Sequence, residues 1–179
     1  MTAPTILSAL VVTGIALVTV AASAQTVTHE NIPGISNFAR LETTVACAGV
    51  TSASAVPDIK KMGYKAIINL RESSEAGADV EGEEAAAKAV GLNFVHVPFN
   101  IANPDPKMVD NFIAAVTKPE NNPAFIHCAA GGRAASLWMI KRVQVDGWDQ
   151  QKALDEAVAL GLNDRLKPFA LNYLATHKK

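Results

Sequence analysis

Pro123-Ala124-Phe125-Ile126-His127-Cys128-Ala129-Ala130-Gly131-Gly132-Arg133-Ala134-Ala135-Ser136 is the stretch from which the rest of the chain can be read. Ala124, Phe125 and Ile126 predict a short buried strand. Cys128 stands where that strand ends. Gly131 and Gly132 permit a tight turn in which successive backbone N–H groups point inward. Arg133 to Asp146 then reads as a helix, with Leu137, Trp138, Ile140 and Val145 among its apolar positions. Amides gathered at a helix N-terminus form an anion site. The positive field of such a site favours a thiolate, so a cysteine at its floor is a candidate nucleophile. Arg133 would close the site with a planar, two-pronged donor suited to phosphate or sulfate oxygens. Cysteine is also a common buried filler, and paired glycines before a helix are ordinary turn chemistry. An isolated Cys-x4-Arg would be read that way; the strand before this loop, the helix after it and three further segments taken up below together raise it above that reading.

The stretch resembles the signature loop of cysteine-dependent phosphatases, His-Cys-x5-Arg, shortened here by one residue to Cys-x4-Arg. In that shorter form it is similar to the beta-lactamase-hydrolase-like phosphatase family, a bacterial branch near the dual-specificity and tyrosine cysteine phosphatases. Gly49-Val50-Thr51-Ser52, Ala66-Ile67-Ile68-Asn69-Leu70-Arg71 and His96-Val97-Pro98-Phe99 resemble further segments of that family, in the same order. So does the helical region from Trp138 to Leu162. The resemblance implies that Cys128 attacks phosphorus and forms a phosphocysteine. It implies that the amides of Ala129, Ala130, Gly131, Gly132 and Arg133 bind the phosphoryl oxygens. Arg133 would clamp two of them, and His127 would support the loop. The general acid is expected at Asp105, in the loop after Pro98, with Glu72 and Glu75 as alternatives. Asp105 equally suits a plain helix N-cap. Asn69 and Arg71 would organise the rim. Where the family has Ser or Thr after its arginine, this chain has Ala134, with Ser136 further on.

Six-residue active loops also occur in rhodanese-like sulfurtransferases. A persulfide carrier using Cys128 is therefore the alternative activity, and a non-catalytic oxyanion-binding relative is a third reading. No Cys-x2-Cys, His-x3-His or Glu-x2-His pattern occurs, and His29, His96, His127 and His177 are scattered. The expectation is of chemistry without a metal or other cofactor, on a phosphorylated protein or small molecule. A formal net charge of −1 over 179 residues supplies no basic patch for nucleic acid.

Strand and helix alternate at short intervals along the chain. Strands are expected around Thr43–Ala48, Lys65–Leu70 and Asn93–Phe99 as well as in the signature stretch. Helices are expected over Ser52–Met62, Glu83–Val90, Asp105 or Pro106 to Val116, Trp148–Leu160 and Leu166–Ala175. This predicts an α/β domain with the cysteine-phosphatase-like fold. Its central, mostly parallel sheet has roughly four to five strands, with helices on both faces. Ligand sites of such sheets lie at the carboxyl ends of the strands, where Leu70-Arg71, Phe99-Asn100 and His127-Cys128 all fall. Gln25–Asn37, broken by Pro33-Gly34, reads as a polar arm.

Met1 to Ala24 carries no charged side chain, and Ile6 to Val20 is almost continuously apolar. Ala22-Ser23-Ala24 is an A-x-A site, so residues 1–24 read as a secretory signal and 25–179 as the mature domain. The expected location is periplasmic or secreted, with no membrane attachment after cleavage. Cys47 and Cys128 would then meet an oxidising compartment, where a disulfide, a reversible redox lock or two free thiols are all open.

Overall fold

The computed structural model describes residues 26–177. The expected signal segment and its cleavage site lie outside them. Among the described residues no helix is long and apolar enough to cross a membrane.

The elements are β1 (Val27–Ile32), β2 (Ile35–Leu41), β3 (Val45–Ala48), α1 (Val56–Lys61), β4 (Ala66–Asn69), α2 (Val80–Ala89), β5 (Asn93–His96), α3 (Pro106–Val116), β6 (Ala124–His127), α4 (Gly132–Gln144), α5 (Gln150–Ala159) and α6 (Lys167–Thr176). The strands form one sheet in the order β1-β2-β3-β6-β4-β5. β3, β6, β4 and β5 run parallel, and β1 and β2 are added antiparallel at one edge. The sheet is therefore mixed and six-stranded, larger than the four to five strands expected. β1 comes from the segment read as an arm, Gln25–Asn37, and β2 begins in that segment and runs on to Leu41. Pro33-Gly34 is the turn of a hairpin, with Gly34 at φ +78°. β1 is an edge strand whose residues are at most half-buried, so it lacks the apolar alternation that marks a strand in sequence.

Alternate residues of the central strands feed two cores. Cys47, Ile68, Leu70 and Ile126 point to the layer shared with α3, α4, α5 and α6. Ala46, Ala48, Ile67 and Phe125 point to the layer under α1 and α2. Helices thus cover both faces, as such a sheet requires. α4 is buried almost along its length, including Leu137, Trp138, Met139 and Ile140. Truncating one of these large side chains would cost roughly 2–5 kcal/mol. That burial holds the N-terminus of α4 against the end of β6.

The helix starts differ in a way that matters for the site. α2, α3 and α5 each begin under an aspartate: Asp79 accepts from the Gly82 amide, Asp105 from Lys107 at 2.9 Å, and Asp149 from Gln151 and Lys152. α4 begins under Gly131, with no side-chain cap. Gly131 has φ +92°, a conformation that L side chains rarely adopt.

Candidate active site

The loop joining β6 to α4 runs along the carboxyl edge of the parallel strands. Its carbonyls are tied outward. The Ala129 carbonyl accepts the Val50 amide at 3.2 Å, and the Ala130 carbonyl accepts the Asn37 side-chain amide at 3.3 Å. With the carbonyls turned away, the N–H groups of the same peptides face the concave side. The Gly131 amide donates to Cys128 Sγ at 3.1 Å. The amides of Ala129, Ala130, Gly132 and Arg133 meet no acceptor among the described residues. Unpaired amides at the start of a helix are a favourable setting for an anion. Gly132 is closely packed. A Cβ there would lie 2.9 Å from Asn163 Nδ2 and 3.0 Å from Leu166 Cδ1. The α5–α6 connection thus packs directly on the back of the loop.

Cys128 is buried, with 2% of its surface exposed. Arg133 is buried too, and its donors are spent in an ordered way. Nη1 and Nη2 form a fork on Glu75, at 2.6 Å to Oε1 and 2.8 Å to Oε2. Nη1 also donates to the carbonyls of Phe99 (2.9 Å) and Leu70 (3.2 Å). This leaves the parallel edge made by Nε–H and the outer Nη2–H for an anion. Two parallel donors are thus left on the Nε side, while those at the end of the guanidinium are taken by Glu75. Burial works against the charge of Arg133. Glu75 and the nearby Cys128 sulfur outweigh it and raise its pKa above the ordinary arginine value.

Glu75 is the counterpart of that arrangement. Burial raises its pKa, but the hydrogen bond from Arg133 opposes this most strongly, aided by the Glu72 amide, the Arg133 charge and Arg71. The net result is a carboxyl lowered to about 2. Such a group holds no proton near neutrality, so Glu75 is removed from the candidate general acids. Arg71, expected on the rim, braces the same loop. It donates to Glu75 (3.3 Å) and to the carbonyls of Ala76 and Gly77. Asn69 Oδ1 accepts the Arg71 amide at 2.8 Å.

Asp105 ends the loop after β5, exposed to solvent and capping α3. It lines a cavity of about 250 Å³ with Val109, Phe169 and Tyr173, a cavity that does not include Cys128. Glu72 stands on the neighbouring rim and accepts from Asn100 Nδ2 at 3.1 Å. Ser136 Oγ donates to the Arg133 carbonyl at 2.9 Å, so its hydroxyl is used within α4. The Gly131 amide donates to the Cys128 sulfur, and Arg133 lies close enough to interact with it.

His127 is fully buried beneath the loop, 2.8 Å from Glu83 through Nε2. Glu83 went unnoticed in the sequence. Its signal was present, because Glu83 and Ala87 are one helical turn apart and both face the sheet. Asn37 and the Glu75–Arg133 pair had no local signal, since their partners lie far along the chain.

Both cysteines are free thiols. Cys47 pairs with Ile126 across β3 and β6, which places it diagonally from Cys128 on one face of the sheet. Burial, then the nearby Cys128 and Glu156, push the Cys47 thiol well above its ordinary pKa.

The sequence model for the beta-lactamase hydrolase-like protein, phosphatase-like domain, matches residues 37–145. The chain belongs to that family. The match begins at Asn37, which ties the loop, and takes in Glu75, Glu83, Cys128, Arg133 and all of α4. Solved structures of this phosphatase-like fold align over most of the chain. A DUF442 protein of Shewanella putrefaciens is 20% identical, covering 84% of this chain and 100% of its own, with a TM-score of 0.65. A cysteine-to-serine variant of P. aeruginosa TpbA, in complex with pTyr, is 18% identical over 87% and 91% of the two chains, TM-score 0.63. The catalytic core of the S. cerevisiae PP-IP phosphatase SIW14, in complex with citrate, is 16% identical over 83% and 89%, TM-score 0.64. At these identities the likeness is one of fold. No curated protein sequence matches the chain significantly.

Proposed function

We propose that this protein is a cysteine-dependent phosphatase that hydrolyses phosphate monoesters, carried by a phosphoprotein or a small molecule, through a phosphocysteine intermediate. The observation that carries this reading is the start of α4. A helix with no side-chain cap, inward amides, a buried sulfur and one unused guanidinium edge converge on one small space.

The Cys128 sulfur attacks phosphorus in line, forming the S–P bond as the bond to the ester oxygen breaks. The amides of Ala129 to Arg133 and the Nε/Nη2 edge of Arg133 bind the three non-bridging oxygens. They are already oriented, so little reorganisation is needed as charge redistributes. The departing oxygen takes a proton from Asp105. Water then attacks the phosphocysteine as it gives a proton to the Asp105 carboxylate, the S–P bond breaks, and inorganic phosphate leaves. The thiolate departs into the field of the Gly131 amide and Arg133, which serves in place of the hydroxyl missing at Ala134.

The pTyr complex of TpbA makes an aryl phosphate the first substrate to try. Phosphate release from para-nitrophenyl phosphate in the presence of a chelator, set against thiocyanate formation from thiosulfate and cyanide, tests the reading. Release of phosphate without thiocyanate is expected; the reverse would make the protein a sulfurtransferase. Export is part of the same proposal, supported by the uncharged apolar start and Ala22-Ser23-Ala24. Intact mass of protein recovered from its native compartment should correspond to a chain beginning at Gln25, and a species still beginning at Met1 would reject cleavage.

A further inference from the structure

Glu83 is a carboxylate with about 1% of its side chain exposed, in the layer that also holds Ala46, Ala48, Ile67 and Phe125. Placing a charge in such a layer costs several kcal/mol unless it is well compensated, and a buried ion pair is a poor way to gain stability. Its compensation comes from two groups at the ends of adjacent strands. Asn69 and His127 are register partners across β4 and β6. Oε2 of Glu83 accepts from Asn69 Nδ2 at 3.0 Å and lies 2.8 Å from His127 Nε2. Neither ring nitrogen of His127 makes an in-line hydrogen bond among the described residues, so Glu83 holds the ring by close contact at Nε2.

His127 is the residue before Cys128, so the setting of its backbone aims the thiol. That backbone is held by the Leu70 amide on the His127 carbonyl and by the Cys128 amide on Ala48. The ring is held by Glu83. The same chain segment, between Asn69 and Glu83, also carries Glu75, which holds Arg133. One segment therefore grips the signature loop at both ends, the Arg133 end through Glu75 and the Cys128 end through Glu83.

We propose that Glu83 is a positioning residue for the Cys128 nucleophile, acting through His127. This rests on the reading of Cys128 as nucleophile. It separates two parts of the site: Glu83 governs where the sulfur points, while the outward-tied carbonyls and Glu75 govern the cradle. Removing the carboxylate should then harm attack and spare anion binding.

The test is a double-mutant cycle of Glu83→Gln, His127→Asn and the double variant. Each is measured for kcat and KM on para-nitrophenyl phosphate, for tungstate affinity, and for alkylation of Cys128 by iodoacetamide, located by peptide mass. For Glu83→Gln the expected result is a fall in kcat of at least about tenfold, with KM and tungstate affinity within about twofold of wild type. Alkylation should change at least about threefold. The double variant should be no worse than the more severe single, because both break one linkage. Unchanged kcat and alkylation in Glu83→Gln, additive losses in the cycle, or tungstate affinity falling in step with kcat would each overturn the proposal. The double variant buries no charge, so it can be read alone if a single variant does not fold. Wild-type protein that binds tungstate yet releases no phosphate would defeat the phosphatase reading instead. Alkylation would still decide the role of Glu83.

Discussion

Between Cys128 and Arg133 the chain is tied at nearly every residue, by Val50, Asn37, Glu75 and the carbonyls of Leu70 and Phe99. Between Asn100 and Asp105 the ties are few. Asn100 Oδ1 accepts the amides of Ala102 and Asn103, its Nδ2 reaches Glu72, and Asp105 caps α3. The first loop has buried functional groups and the second exposed ones. A cradle for a transition state gains from being fixed in advance, since reorganisation raises the barrier. A proton donor need only reach the leaving oxygen once substrate is present, and catalytic hydrogen bonds often tighten only then. The difference between the loops thus separates a pre-formed binding half from a loosely held acid half.

Four changes probe that division. Cys128→Ser should abolish turnover while leaving tungstate affinity within a few-fold of wild type, because the backbone cradle does not depend on the sulfur. Loss of anion binding along with activity would mean the cradle is not independently built. Asp105→Asn comes next. Asparagine can still cap α3, so the helix should be unaffected. Turnover of an alkyl phosphate should drop about 100-fold, and that of para-nitrophenyl phosphate less than about threefold. Equal activity of the variant and wild type on both substrates would remove Asp105 and turn attention to Glu72.

Arg133→Lys keeps the charge but cannot serve Glu75, two carbonyls and an anion together. A loss in kcat/KM of at least about tenfold, or roughly 1.4 kcal/mol, is expected. The smallest effect concerns pH and stability. Glu75 is lowered to about 2 in the folded chain, below the ordinary carboxyl range of about 4.3. Its contribution to stability is complete above that ordinary range and is lost as pH falls through it towards about 2. The melting temperature of wild type should therefore exceed that of Glu75→Gln at pH 6, and the gap should narrow below about pH 4 and close only near pH 2. A gap that is constant with pH would mean that the Glu75–Arg133 pairing acts by shape alone.

What could be read from the sequence was what is local in the chain. β6, the loop and α4 follow one another within a single stretch, and a strand, two glycines and an apolar helix each leave their own mark. The α1, α3 and α6 positions were recovered for the same reason. The hairpin of β1 and β2 is not legible in this way, because β1 is at most half-buried on either face and β2 breaks its alternation at Ser36–Asn37, where Asn37 has φ +48°. Nor is the division of labour on Arg133. Glu75 lies 58 residues before it, and no spacing rule connects the two. Glu83 shows a third kind of failure. It stood in the pattern at the correct helical spacing, but a glutamate in an Ala-rich helix is ordinarily a solvent-facing residue.

The outward tying of Ala129 and Ala130 also has a meaning in the exchange of amide hydrogens with solvent. The neighbouring amides of Leu70 and Cys128 are bonded into the sheet ladder and belong to the part of the molecule that opens least often. Those lining the cradle have nothing but solvent to bond to when it is empty. The best-packed region of the protein therefore contains a small island of fast-exchanging backbone. An anion entering the site erases that island, so occupancy is written into the exchange of four amides whether or not any bond is made or broken.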